Sequence, residues 1–255
     1  MFAEEFSQLA TSAKTKSNLL ERNPLGYVVS AMMSGIFVGF GVALIFTIGG
    51  YFAGAASARI LMGASFAVAL SLVIIAGSEL FTGNNLVMTA GVIEKKVTMR
   101  QCLKVLAVCY VGNWLGSILF AFIFLGTGLF VGATQDFIHY TASYKASIPI
   151  VQLFLRALLC NILVCLASWC SYKCKSETSK LIMTFWCLLA FYTTGFEHSI
   201  ANMSLFTISF LADAGSHITL GGYLYNILVS TIGNVFGGVM FVAVPYYLIS
   251  RKSLD

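Results

Sequence analysis

Apolar residues gather into six stretches along the chain, and polar residues separate them, except for two short polar breaks inside the second and fifth stretches. The stretches cover 24–52, 60–93, 102–131, 149–172, 178–211 and 219–249. About 20 apolar residues cross the hydrocarbon of a bilayer as an α-helix, so the pattern predicts six membrane-spanning helices. The weak alternation of outer-membrane strands is missing, and the predicted fold class is an all-α membrane protein. Ahead of the first span, Phe2, Phe6, Leu9, Ala13 and Leu20 recur every three, four or seven residues. That spacing predicts an amphipathic N-terminal helix over 1–23, lying along the membrane surface. Residues 24–250 are expected to form a single transmembrane domain. Asn23 and Pro24 supply an N-cap and a first-turn proline for the first span. Within it Ala31, Gly35, Gly39 and Ala43 recur every fourth residue, a smooth face suited to close helix packing.

Composition agrees with this pattern. The 255 residues are 58% hydrophobic and 10% charged, whereas soluble domains carry about a quarter charged residues, which excludes a soluble enzyme or binding module. Lys14, Lys16, Arg22, Lys95, Lys96, Arg100, Lys104, Lys173, Lys175, Lys180, Arg251 and Lys252 all fall on one side of a six-span arrangement, and only Arg59 and Lys145 on the other. By the positive-inside rule both termini are expected in the cytoplasm, in a multi-pass inner (cytoplasmic) membrane protein. Glu4 and Glu5 next to Met1 are unlike a signal peptide, and no cleaved leader is expected. Cys102, Cys109, Cys160, Cys165, Cys170, Cys174 and Cys187 show no metal-ligand spacing and read as small buried hydrophobes, so no metal or cofactor is expected. The net charge of +5 lies in membrane-flanking positions and implies no nucleic-acid partner.

The two breaks match each other. Gly77-x-Glu79-x-x-x-x-Asn84 interrupts the second stretch and Gly195-x-Glu197-x-x-x-x-Asn202 the fifth. One span after each comes a second shared signature, Gly112-Asn113-x-x-Gly116 and Gly233-Asn234-x-x-Gly237, and Pro24 and Pro149 open the two halves. Three landmarks in one order predict a three-plus-three repeat with halves 24–131 and 149–250. Because three spans separate equivalent elements, the halves are inverted and their broken helices meet near the midplane. Broken helices are tolerated in hydrocarbon only beside protein or a water-filled path, so a pore or binding site is expected there. Each break starts a new half-helix whose N–H groups favour anions. Glu79 and Glu197 run against that preference and read as braces for the loop backbone, with a proton-carrying role as the alternative. His198 lies inside the second break and is the candidate functional histidine. His139 and His217 fall in external connections, and Arg156 reads as a snorkelling or intersubunit residue.

The runs Gly77-Ser78-Glu79-Leu80-Phe81-Thr82-Gly83 and Glu197-His198-Ser199-Ile200-Ala201-Asn202-Met203 resemble the formate/nitrite transporter family, and the similarity extends from Pro24 to the sixth span. The resemblance implies an aquaporin-like protomer, five protomers around an axis and a pore for small monovalent anions in each. Residue by residue, His198 resembles the central pore histidine and Thr82 the threonine of the facing loop. Leu80, Phe81 and Val164 resemble the cytoplasmic constriction, and Phe66, Leu70 and Phe191 the outer one. Asn161 and Asn202 match polar pore positions. Lys145 matches an outer vestibule lysine, with an ordinary loop residue as the alternative, and Lys16 is its inner counterpart. Glu79 and Gly83 stand where the formate branch more often has Asp and Ser, which leans towards the nitrite or hydrosulfide branches.

An anion between apolar constrictions loses hydration that Leu and Phe cannot replace, and protonation removes most of that cost. The expected mechanism has the lysines attract nitrite, formate or hydrosulfide, His198 or a water bonded to it supply a proton, and the neutral acid pass. A proton-coupled secondary transporter of a small monocarboxylate would show the same repeats and breaks. A haem-holding redox enzyme would need paired histidines within helices, and no enzymatic activity is expected.

Overall fold

The computed structural model describes residues 1–212 and 218–251, all helix and connections with no strand among them. His217 and Lys252 lie outside the described residues. Among the described residues five helices are long and apolar enough to cross a membrane: α2 (Pro24–Tyr51), α3 (Ala58–Leu72) extended by a π-turn to Gly77, α5 (Met99–Gly126), α7 (Ile150–Lys173), and α10 (Leu220–Gly238) carried through a second π-turn into α11 (Val244–Ser250). Pro245 in the first turn of α11 lacks an N–H, and the π-turn just before it absorbs the resulting gap in the helix ladder. The fifth predicted stretch is two shorter helices, α8 (Glu177–Thr194) and α9 (Ser199–Ala212).

The second stretch leaves helical geometry over Ser78–Leu80 and resumes in α4 (Phe81–Ile93). Gly77 and Gly195 end the helices ahead of the two breaks with φ of +81° and +86°, a left-handed turn that only glycine makes without strain.

The N-terminal helix α1 (Ala3–Arg22) differs from its expected placement. Phe6, Leu9 and Ala13 are fully buried and α1 packs against α4 and α2, so protein, not lipid, covers its apolar stripe. The connection between the third and fourth stretches contains a helix that the hydrophobic pattern did not show, α6 (Gly132–Ala146), which buries Thr134, Ile138, His139 and Ala142. Of the four buried residues of α6 two are polar, Thr134 and His139, which leaves no clear apolar stripe. His139 is therefore not in a free connection: it is buried, with Nδ1 2.9 Å from Ser209 Oγ.

The two glycine-asparagine signatures mark close helix crossings. A Cβ on Gly116 would collide with the Met32 carbonyl, one on Gly35 with the Asn113 carbonyl, and one on Gly237 with the Leu158 carbonyl. The small-residue face of α2 is thus spent inside the chain, Ala31 and Gly35 against α5 and Gly39 against Phe120.

Candidate functional site

Both breaks are held by an asparagine from the following span. Asn113 Oδ1 accepts the Phe81 N–H (2.9 Å), while its Nδ2 donates to the carbonyls of Glu79 (2.8 Å) and Ala31 (2.8 Å). Asn234 does the same at the other break, with Oδ1 accepting the Ser199 N–H (2.9 Å) and Nδ2 donating to the carbonyls of Glu197 (3.0 Å) and Ala157 (2.7 Å). Backbone groups freed in a low-dielectric interior must be paired, and each of these side chains pairs two of its break, while a third bond ties it to a carbonyl of the neighbouring helix, Ala31 in α2 or Ala157 in α7.

The carboxylates expected to brace the loops make no hydrogen bond to loop backbone among the described residues. Glu79 binds Lys16 Nζ at 2.6 Å, and its other oxygen accepts from Asn84 Nδ2 (2.8 Å) and the Tyr27 hydroxyl (3.2 Å). Glu197 binds Lys145 Nζ at 2.8 Å and accepts from Asn202 Nδ2 at 2.7 Å, while Lys145 also donates to Asn202 Oδ1 (3.0 Å). The backbone role belongs to Asn113 and Asn234, and the carboxylates instead tie each break to a helix that precedes its half, α1 or α6. Burial pulls the Lys16 pKa down, but the adjacent Glu79 carboxylate, with smaller contributions from Tyr172 and Cys109, more than offsets this and holds it above the ordinary lysine value. Neither lysine is a free vestibule charge. Asn202 is 2% exposed and its amide also donates to Asn226 Oδ1 (2.8 Å), which places it in this packed network.

Between the breaks lies a cavity of about 10 Å³, about the least that holds a single water, lined by Val38, Phe66, Ala69, Leu70, Leu80, Val164, Leu188, Phe191 and His198. Eight of these side chains are apolar, so His198 is the polar group of the lining. Leu70 and Leu80 also line a vestibule of about 430 Å³ that holds Lys16, Glu79 and Lys180, which makes them the partition between vestibule and cavity. Leu70 therefore sits with Leu80 rather than with an outer neck. Phe66 and Phe191 meet edge to face at 5.7 Å, and Phe191 stacks on His198 at 6.0 Å. Phe81, expected in the inner constriction, does not line the cavity, because its ring turns into the α5 side and meets Tyr110 edge to face at 4.9 Å. Asn161, matched to a polar pore position, is fully buried outside the lining, with Nδ2 donating to the carbonyls of Thr82 (3.3 Å) and Asn234 (2.6 Å).

His198 sits at the N-cap position of α9. Its carbonyl accepts the Asn202 N–H at 2.9 Å and its Nδ1 accepts the Ala201 N–H at 3.1 Å. An Nδ1 that accepts carries no proton, so the imidazole is neutral with its hydrogen on Nε2. Nε2 then donates to Thr82 Oγ1 at 3.1 Å, and the Thr82 hydroxyl hydrogen is left to point onward. The bond joins the two breaks. Sequence reasoning missed this capping role because cap preferences single out Ser, Thr, Asp and Asn rather than His.

Against known proteins, the family described as Formate/nitrite transporter matches residues 3–248. Nitrite transporter NirC of Salmonella typhimurium (strain LT2) is 39% identical over 255 residues, covering 99% of this chain and 94% of that protein. The Formate-nitrite transporter of Plasmodium knowlesi (strain H) is 30% identical, covering 90% of this chain and 78% of that protein. Among solved structures, an FNT family ion channel superposes with a TM-score of 0.92 at 38% identity, covering 97% of this chain and 99% of its own. A pentameric formate channel with formate bound gives 0.79 at 27%, covering 89% and 97%. With a family match over nearly its whole length and relatives of this similarity, the chain belongs to the formate/nitrite transporter family.

Proposed function

We propose that the protein is a channel for nitrite and related small monovalent weak-acid anions, formate and hydrosulfide among them, across the cytoplasmic membrane. The supporting observation is the narrow apolar cavity whose one polar lining group, His198, is bonded to Thr82 of the facing break. Relatives named for nitrite transport and a neighbour that is a pentameric formate channel support the substrate class and a homopentamer.

In this reading α8 and α9 jointly make a sixth span, and 24–131 and 149–250 are inverted halves of one domain. The repeat extends to α1 and α6, each carrying the lysine that meets its half's glutamate. Lys16 stands eight residues before Pro24 but Lys145 only four before Pro149, a difference of about one helical turn. The clustered lysines and arginines support a cytoplasmic side for both termini.

A bare anion in a cavity walled by Leu, Phe, Val and Ala loses its hydration, so low polarity favours the neutral acid there. His198 aids that transient protonation by orienting Thr82, whose hydroxyl hydrogen is free to hydrogen-bond the permeant while a hydronium ion of the vestibule water passes its proton to the anion and leaves as water. The flux of nitrite, formate, hydrosulfide, lactate and chloride into proteoliposomes, each at two pH values, tests this. Weak acids are expected to pass faster at lower pH and chloride to pass poorly; chloride flux equal to that of nitrite would overturn the proposal. The partition gives a sharper expectation. Leu80→Val should raise lactate flux relative to nitrite, since apolar necks select by size and dehydration cost. Phe81→Ala should leave that ratio unchanged and lower thermal stability, and a Phe81→Ala channel that admits lactate would move the ring back into the pore.

A further inference from the structure

The lysines that sequence comparison assigns to anion attraction are already paired, Lys16 with Glu79 at 2.6 Å and Lys145 with Glu197 at 2.8 Å. Seen by an ion several ångströms away, each pair is a dipole whose attraction largely cancels. Two other cations flank the path. Lys180, in the first turns of α8, lines the 430 Å³ vestibule beside Lys16 and Gly77, and forms no ion pair with a described residue. Arg59, in the first turn of α3, is exposed and equally unpaired among the described residues. Its Nη1 lies 3.8 Å from where a Cβ on Gly195 would stand, and its carbonyl accepts from Thr193 Oγ1 at 3.4 Å. Gly195 is the counterpart of Gly77 in the repeat, so Arg59 stands beside the second break, while Lys180 lines the vestibule onto which the first break opens.

We infer that Lys180 and Arg59 are the anion-recruiting charges of the two mouths, and that Lys16 and Lys145 serve to hold the glutamates of the breaks. The partner is the monovalent anion of the proposed function, and the inference rests on that reading. A unit charge near a mouth interacts with an anion through water and is screened with a Debye length of about 30 Å at 0.01 M salt and 3 Å at 1 M.

The test is initial nitrite influx into proteoliposomes, normalised to assembled protein, at low and high ionic strength. Lys180→Gln, Arg59→Gln and the double variant are expected to reduce influx about two- to fivefold at 0.01 M salt and to converge on the parent rate at 1 M, while Lys180→Arg keeps the parent's salt response. The charge-neutral double variants Lys16→Gln/Glu79→Gln and Lys145→Gln/Glu197→Gln should keep the parent's salt response in whatever protein assembles. An unchanged salt response in the Lys180→Gln/Arg59→Gln double variant overturns the inference. A parent protein that carries no nitrite at either salt concentration overturns the function instead, so the two failures are distinguishable.

Discussion

Replacing His198 by Asn is expected to leave the pH profile of weak-acid flux intact and to lower its rate no more than severalfold, whereas His198→Phe lowers it at least about tenfold, the equivalent of roughly 1.4 kcal/mol. The expectation follows from the two bonds of the imidazole. Nδ1 caps α9 by accepting the Ala201 N–H, and Nε2–H donates to Thr82 Oγ1. Asn is among the best N-caps and also carries a donor, so it can take over the cap and present an amide towards Thr82. Phe fills a similar volume but leaves a backbone N–H and the Thr82 hydroxyl without their partner. A relay in which His198 itself gives up a proton needs an imidazolium, and protonating Nδ1 would set two N–H groups against each other at the start of α9. That relay predicts a flat pH profile for His198→Asn across pH 5 to 8. Matched proteoliposomes measured over that range decide, and a well-assembled His198→Asn protein that loses its pH dependence would restore the histidine as proton donor. The permeant must still be protonated to cross an apolar cavity, so both readings keep flux rising as pH falls in the parent.

Much of the architecture is legible in the sequence because bilayer-length apolar runs and left-handed glycines have direct physical meaning. The breaks begin at Gly77 and Gly195, as read, and the paired Glu and Asn spacings locate the two clusters. What the sequence withheld was the partner of each polar side chain. Glu79 reaches a lysine 63 residues away, and nothing local in Lys16 announces that contact. Ring direction was equally hidden, since Leu80 and Phe81 are neighbours yet one faces the cavity and the other packs on Tyr110. The helix α6 escaped because so little of it is apolar, and the inward face of α1 because an apolar stripe looks the same whether protein or lipid covers it.

Asn113→Asp and Asn234→Asp are expected to cost the assembled protein about as much stability as Asn→Leu, on the order of 3–6 kcal/mol for each site, because several buried backbone groups lose their partner at once. The carboxylate could still accept the Phe81 or Ser199 N–H, so a role limited to capping a half-helix would tolerate it. The second oxygen of Asp, however, would face the carbonyls of Glu79 and Ala31, or of Glu197 and Ala157, acceptor against acceptor. Only an amide satisfies one donor and two acceptors from a single side chain at these positions. The loss should appear as a lower thermal midpoint of the detergent-solubilised oligomer and a smaller assembled fraction on size exclusion. Glu79→Gln provides the contrast, since it weakens the tie to Lys16 but leaves the backbone of the break paired, and a smaller drop is expected. An Asn113→Asp protein that assembles with the parent's thermal midpoint would mean that the break is held by something other than this asparagine. Equal losses from the two Asn→Asp changes would show that the two halves depend on the same device, one at each break.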